Sequence, residues 1–563
     1  MSSRSVPGNP PASDWETFEP RYAALLREDL TPDQIPSWLT SWSELEKDVG
    51  EAHASLKRAA DEDTADERAR EALLSFVHDV SPRVSVANQK LKALLLAVEG
   101  FVPKPEESRM IERLRNEADL FREENVEVLT EIETLSNDFY TITGAIVVRL
   151  DGDEFTIPQV LPRLYSPERA ERERAWRAIV AGKLEKAAEL DALFLRLLEL
   201  RRRLAVNAGL PDFRDFQWRA MNRFDYGPDD SQRLDDAIAA EAVPLLGKLY
   251  DRRRQKLGVD ELRPWDRDVD LESRQALRPF DTVEELEEGL ERVFTRLDPV
   301  LGQQFHLLRD GWMDLEARKG KVPGLGYQME FPRSGRPYIY HSLAGLHDDV
   351  VVLLHEAGHA FHSLARSGPN QLIWNRHPGP EFAEVASQAM ELLPLPYLSR
   401  AEGGFYSEEG ASRARNDQLE RILRLLPHMA KGDLFQHWLY TQDPGELSID
   451  EIDAKWLELD ERFEPGVDWS GLEREHAKGW QFFHIFCIPF YLLDYAIAYL
   501  GAIQVWRNSL NDPEAALSSY REALALGASR ALPELFAATG ADFSFEGDHV
   551  GELARFVYEQ MDR

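Results

Sequence analysis

Apolar residues recur three and four positions apart between charged ones over residues 65–100, 105–140, 166–206, 228–257 and 282–318, the period of amphipathic helices. Boundary signals agree with that period. Ser166-Pro167-Glu168 predicts an N-cap, a first-turn proline and an early acid for one long helix, and Asp281-Thr282 precedes Glu284 and Glu285 in the same way. Two stretches break the pattern. Val147 to Ile157 reads as a hairpin turning at Asp151-Gly152 between β-branched and aromatic residues. Gly320 to His341 is rich in Gly and Pro before the alternation Tyr338, Ile339, Tyr340, which predicts a loop followed by a short strand. No repeat appears at solenoid periods. The expected fold is mainly α with one small antiparallel sheet. A short disordered arm over residues 1–13, a helical region over 14–160 and a second region over 161–563 are expected to follow one another.

Composition narrows the partners. A chain of 563 residues exceeds what one core usually serves, so subdomains sharing an interface are expected. A formal net charge of -34 would repel a phosphate backbone, which excludes nucleic acid as a general partner. The runs Arg201-Arg202-Arg203 and Arg252-Arg253-Arg254 are flanked by acids in helical sequence and read as solvated helix faces. Cys487 is the one cysteine, so neither an intrachain disulfide nor a thiolate metal cluster can form. The N-terminus carries no apolar signal core, and the apolar stretch near 485–500 is interrupted by Pro489 and Asp494, so no membrane span is expected. A cytoplasmic location follows as the expectation; the oligomeric state stays open.

Chemistry enters at residues 351–362, Val-Val-Leu-Leu-His-Glu-Ala-Gly-His-Ala-Phe-His, with Asp348-Asp349 ahead of them as cap residues. On a helix, His355 and His359 stand one turn apart on one face, where both imidazoles can reach one tetrahedral zinc ion. Glu356 is turned by about 100° from His355, beside the ion rather than on it, where a carboxylate can take a proton from a metal-activated water. The alternative is a packed helix that carries His at this spacing by chance. Two histidines leave a catalytic zinc one protein ligand short. The metzincin solution needs Gly at 362 and His at 365, where this chain has His362 and Ala365, so it is excluded. A glutamate from a later helix is the other common solution. Residues 380–393 open on Pro380 and place Glu384, Gln388 and Glu391 on one stripe, among Phe382, Val385, Ala386, Ala389 and Leu393. Buried, such a stripe needs a partner such as a metal; solvent-facing, it needs none. His362 reads as a second-shell or packing histidine, because a fourth protein ligand would close the position that water needs.

These segments resemble the thimet oligopeptidase and oligoendopeptidase F family of zinc metallopeptidases. HEAGHAFH is similar to its extended metal motif, and Phe382 to Gln388 to the segment supplying the third ligand, whose glutamate corresponds to Glu384. Arg263 to Asp266, Asp314 to Arg318 with Lys321 to Gly324, and His484 to Tyr495 resemble further landmarks, giving coverage from about residue 200 to 505. The segment Pro337 to His347 departs from the family's usual wording, which bears on subsite preference. The resemblance implies two helical subdomains flanking a deep substrate channel, one zinc per chain on its floor, and hydrolysis of short peptides. It implies His484, Tyr491 and Tyr495 as oxyanion-side catalytic groups and Glu391 outside the ligand shell. Tyr338, Tyr340 and Gly345 become substrate-binding candidates, on a strand that would pair with an extended peptide through an exposed edge. By spacing alone Tyr491 and Tyr495 would equally suit an aromatic core helix. A carboxypeptidase or dipeptidyl carboxypeptidase on the same site, and a metal-free helical scaffold, remain the competing readings.

Overall fold

Prolines and short polar caps divide the long amphipathic runs. In the computed structural model, which describes residues 13–561 apart from 272–274, 319–320, 322–325, 368–370, 444 and 446, the run 228–257 forms Pro228–Glu241 and Val243–Leu257, with Pro244 in the first turn of the second helix. The run 282–318 forms Val283–Leu297, capped by Thr282 as expected, and then Pro299–Leu308. Asp298 separates them and accepts from Val300 N at 2.7 Å, because Pro299 can open a helix but cannot continue one. Phe121 and Arg122 interrupt 105–140 between Pro105–Leu120 and Glu123–Gly144, and the run 65–100 carries a π turn at Phe76–Val80. The helix expected from Ser166 begins instead at Arg169 and runs to Ala208. Ser166 Oγ is engaged just ahead of it, donating to Glu171 and accepting from Glu168 N. The 1–12 part of the N-terminal arm, and Gly320 with most of the Lys321–Gly324 landmark, lie outside the described residues.

The hairpin forms as predicted, with β1 (Val148–Leu150) antiparallel to β2 (Asp153–Phe155) and Asp151 and Gly152 at φ 56° and 95° in its turn. The second sheet differs from the expectation. It has three strands, β3 (Met313–Asp314), β4 (Tyr327–Phe331) and β5 (Arg336–Tyr340), in the order β3-β5-β4. β5 is antiparallel to β4 but parallel to β3, so the sheet is mixed. β5 is also its middle strand, so the sheet's edges lie on β3 and β4 and not on the strand holding Tyr338 and Tyr340. The alternation of Tyr and Ile marks a strand but carries no information on its neighbours.

One core of residues between Phe18 and Leu114, joined by Trp374, forms the N-terminal part. A larger core collects Leu120, Val128 and Phe139 with nearly all later helices. A small third core closes the hairpin over Ala175 and Ile179. Among the described residues no helix is long and apolar enough to cross a membrane.

One arginine of each run departs from the solvated face expected, while Arg203 is exposed. Arg201 is 1% exposed and donates to Tyr440 Oη at 2.6 Å and to the carbonyls of Ile485 and Phe486. Arg253 is likewise buried, on Glu420 and the Val269 carbonyl. Tyr440, Ile485 and Phe486 for Arg201, and Glu420 for Arg253, are far along the chain, beyond the reach of any local pattern.

Candidate active site

The HExxH helix spans His347–Ala365 and is held at its start by Asp349, three residues inside. Its carboxylate accepts from Ala344 N at 3.0 Å and Leu346 N at 2.8 Å. Gly345 sits in this turn at φ 77°, the left-handed region where glycine costs least. The helix Pro380–Leu392 crosses at Gly358. A Cβ there would come within 2.6 Å of Ala386 O and Ser387 Cα, so the glycine of HEAGH is what lets the second helix approach.

That approach brings the donors together. Glu384 Oε2 lies 3.3 Å from His355 Nε2 and 3.6 Å from His359 Nε2, and the two imidazole rings stand 4.9 Å apart nearly at right angles. This is two nitrogens and one carboxylate oxygen converging on one point, a donor set that suits zinc. Ser387 Oγ donates to the same Oε2 at 2.8 Å, and Tyr491 Oη to Oε1 at 2.8 Å. Glu391 lies one step behind, 2.7 Å from His355 Nδ1, while accepting from Gln418 Nε2 at 2.5 Å and Tyr499 Oη at 3.0 Å. With Nδ1 taken by a carboxylate, the lone pair of Nε2 faces the donor set. Sequence spacing left Glu384 and Glu391 on one stripe; the crossing of the helices separates them. The histidines and Tyr491 outweigh burial and hold the Glu384 carboxyl down at about 2.

Glu356 projects from the same helix, 7% exposed, with Oε2 unpartnered. Burial pushes its carboxyl up to about 7, with His355 opposing that. His362 touches none of these groups. It is buried against the Phe382 ring, with neither ring nitrogen bonded, a packing residue.

Opposite lies the helix Tyr491–Asn511, preceded by a short turn of helix Phe483–Phe486 that carries His484. Arg201 holds the carbonyls of Ile485 and Phe486, so a buried cation fixes where His484 stands. Phe490, at φ 67°, turns the chain between the two; such a backbone costs on the order of 1–3 kcal/mol in a non-glycine residue. Three contacts offset it. Gln436 accepts its N–H at 2.7 Å, Arg223 donates to its carbonyl at 2.8 Å, and its ring packs on Trp218, His437 and Tyr440. Tyr495 then lies between Tyr491 and His484, its ring 5.1 Å and 5.6 Å from theirs. Burial pushes the His484 imidazole down to about 4, so it is neutral at physiological pH.

Tyr338 and Tyr340 do not join this group. Both are fully buried, and their hydroxyls donate to Glu62 Oε1 at 3.0 Å and to Asp61 O at 3.1 Å, in the helix Ile35–Glu62. Gln418, Tyr499 and Ser387 were not singled out from sequence. Tyr499 had a signal, since it continues the four-residue spacing of Tyr491 and Tyr495; Gln418 had none. A cavity of about 680 Å³, lined by Leu346, His347, Gln418, Arg421 and His428 among others, reaches the back of the site at Gln418, which donates to Glu391.

Comparison with known proteins agrees with the resemblance read from the motifs. An oligoendopeptidase F homolog of Borreliella burgdorferi is 22% identical over 320 residues, 54% of this chain, which spans about half the length of that relative. PZ peptidase A, solved with an inhibitor, superposes with a TM-score of 0.92 at 23% identity, covering 100% of this chain and 99% of that one. A protein of Bacillus anthracis str. Ames proposed to be an oligoendopeptidase F gives 0.88 at 22% identity, covering 100% and 98%. These likenesses establish the fold. The model of peptidase family M3 matches residues 163–553, well over half the sequence, and the chain therefore belongs to peptidase family M3.

Proposed function

We propose that this protein is a zinc-dependent endopeptidase of short peptides, with one zinc held by His355, His359 and Glu384. The observation that carries the reading is the convergence of two histidine nitrogens and one glutamate oxygen, with Glu356, whose Oε2 has no partner, on the same helix as the two histidines. When bound, zinc polarises a scissile carbonyl and lowers the pKa of a water. Glu356 Oε2, which has no other partner, takes the water's proton and passes it to the leaving amine. Tyr495 donates to the developing oxyanion in this reading, which is supported by Tyr491, the other tyrosine implied for that role, already donating to Glu384 Oε1. His484, neutral and fixed through Arg201, serves the same side of the site. An extended peptide would pair with the edge strand β4 rather than with β5, which is flanked on both sides.

Two measurements test this together. Metal analysis should find zinc, and chelation should abolish cleavage of internally quenched peptides until zinc is restored. Product mapping on end-blocked peptides of rising length, beside casein, should show internal cleavage of the short ones only. Release of C-terminal dipeptides alone would make the enzyme a dipeptidyl carboxypeptidase, and efficient casein digestion would require an open cleft.

A further inference from the structure

A second histidine–carboxylate cluster lies between the helices Pro228–Glu241 and Glu408–Thr441, outside the machinery described above. Ser231 and Asp235 stand one turn apart on the first helix, Asp433 and His437 one turn apart on the second. Ligand atoms of Asp235, Asp433 and His437 all lie within 4.8 Å of one another. His437 Nε2 is 3.2 Å from Asp433 Oδ2 and 3.1 Å from Ser231 Oγ, which also donates to Asp433. Ser231, Asp235 and Asp433 are 0% exposed and His437 is 3% exposed; none lines the 680 Å³ cavity.

What sets the cluster apart is its unmet bonding. Both carboxylate oxygens of Asp235, Oδ1 of Asp433 and Nδ1 of His437 are buried with no other group to meet them, and the Asp235 and Asp433 carboxyls face each other. A buried carboxylate left so is strongly unfavourable unless something neutralises and bonds it. Neither nearby cation bonds the cluster: Arg223, which acts on Asp433 only through space, pairs with Asp494 and the Phe490 carbonyl, and Arg462 pairs with Asp236. A serine-nucleophile triad does not fit. Asp433 and Ser231 both meet Nε2 of His437, whereas a triad needs its acid and its serine on opposite ring nitrogens. The donor types do suit a cation. Two carboxylates balance a divalent charge, and pairs one turn apart on facing helices are a recurrent way to build carboxylate–histidine metal sites. One imidazole with two carboxylates and a hydroxyl suits zinc-type ions better than calcium.

We propose that Asp235, Asp433 and His437, with Ser231 beside them, form a closed structural site for a zinc-type divalent ion, separate from the HExxH centre. The competing occupant is a proton shared by the two carboxyls. The site has a mechanical consequence. The His437 ring packs 5.3 Å from Phe490, the residue that turns the chain into the tyrosine helix, so an ion here stiffens the support of Tyr491 and Tyr495.

The test is metal content of the tag-free full chain, in the wild type and in Glu384→Ala. The wild type should hold about two equivalents, and Glu384→Ala about one that resists chelator while the chain is folded, because a closed site exchanges slowly. Asp235→Asn added to Glu384→Ala should remove that last equivalent. Glu384→Ala unfolded and refolded with zinc should melt several degrees above the same chain refolded with chelator. Should the double variant not fold, the first two measurements decide alone. About one equivalent in the wild type with none in Glu384→Ala, or identical melting with and without zinc, would give the cluster to a proton and overturn the proposal. The metal lost from Glu384→Ala reports on the HExxH reading, and the metal remaining in it reports on this one.

Discussion

The HExxH centre and the Asp235–Asp433–His437 cluster use the same local device, a pair of side chains one helical turn apart completed by a carboxylate from a facing helix. They differ in what surrounds them. The side chains of His355 and His359 are 19% and 18% exposed, and Glu391, itself held by Gln418 and Tyr499, supports His355 from behind. The other cluster is sealed, and Asp235, Asp433 Oδ1 and His437 Nδ1 in it meet no donor or acceptor outside it. An open face with a supported back leaves room for a water and a peptide; a sealed one leaves room for an ion or a proton and nothing else. Ligand spacing is therefore a poor guide to role, and access together with support is a better one.

The contrast can be broken most severely at Glu384. Glu384→Ala should lose the HExxH metal and with it all measurable turnover. Metal retention with Glu384 gone would mean that this carboxylate is not a ligand. Next comes Glu356→Gln, which keeps the shape and the metal but cannot take a proton. It should lower kcat by about 10²–10⁴-fold, and activity within a few-fold of wild type would remove Glu356 from the mechanism.

The tyrosines sharpen the picture on a finer scale. Tyr495→Phe should lower kcat by roughly 10²–10³-fold with a much smaller change in KM and an unchanged melting temperature. Tyr491→Phe removes a hydrogen bond to Glu384 Oε1, so it should show first as weaker metal retention under a chelator titration. A larger kcat loss at Tyr491 than at Tyr495, with metal intact, would exchange the two roles. The smallest expected effect belongs to Glu391→Ala, which removes the group on His355 Nδ1. Metal affinity should fall by about 10–100-fold while excess zinc restores most activity. Failure of excess zinc to restore it would make Glu391 more than a support for His355.

The helical class, the hairpin, the HExxH face and the proline at the start of 380–393 were legible in the sequence, because each depends on periodicity or on residues a few positions apart. So was Gly358 as part of a motif, although its reason, the close crossing at Ala386 and Ser387, was not. Glu384 and Glu391 stand about two helical turns apart on one stripe that spacing cannot divide; only the angle at which that helix meets the HExxH helix puts one on the donor point and the other on His355 Nδ1. The same holds for Arg201, whose acceptors lie more than 200 residues away, and for β5, whose sequence marks a strand but not that β3 and β4 flank it. Asp235 and Asp433 have no local signature at all, being two ordinary acids on two amphipathic helices until packing seals them together. Backbone periodicity and steric preference act within one turn and leave their record in the chain, whereas burial, access and the choice of partner arise only when distant elements meet.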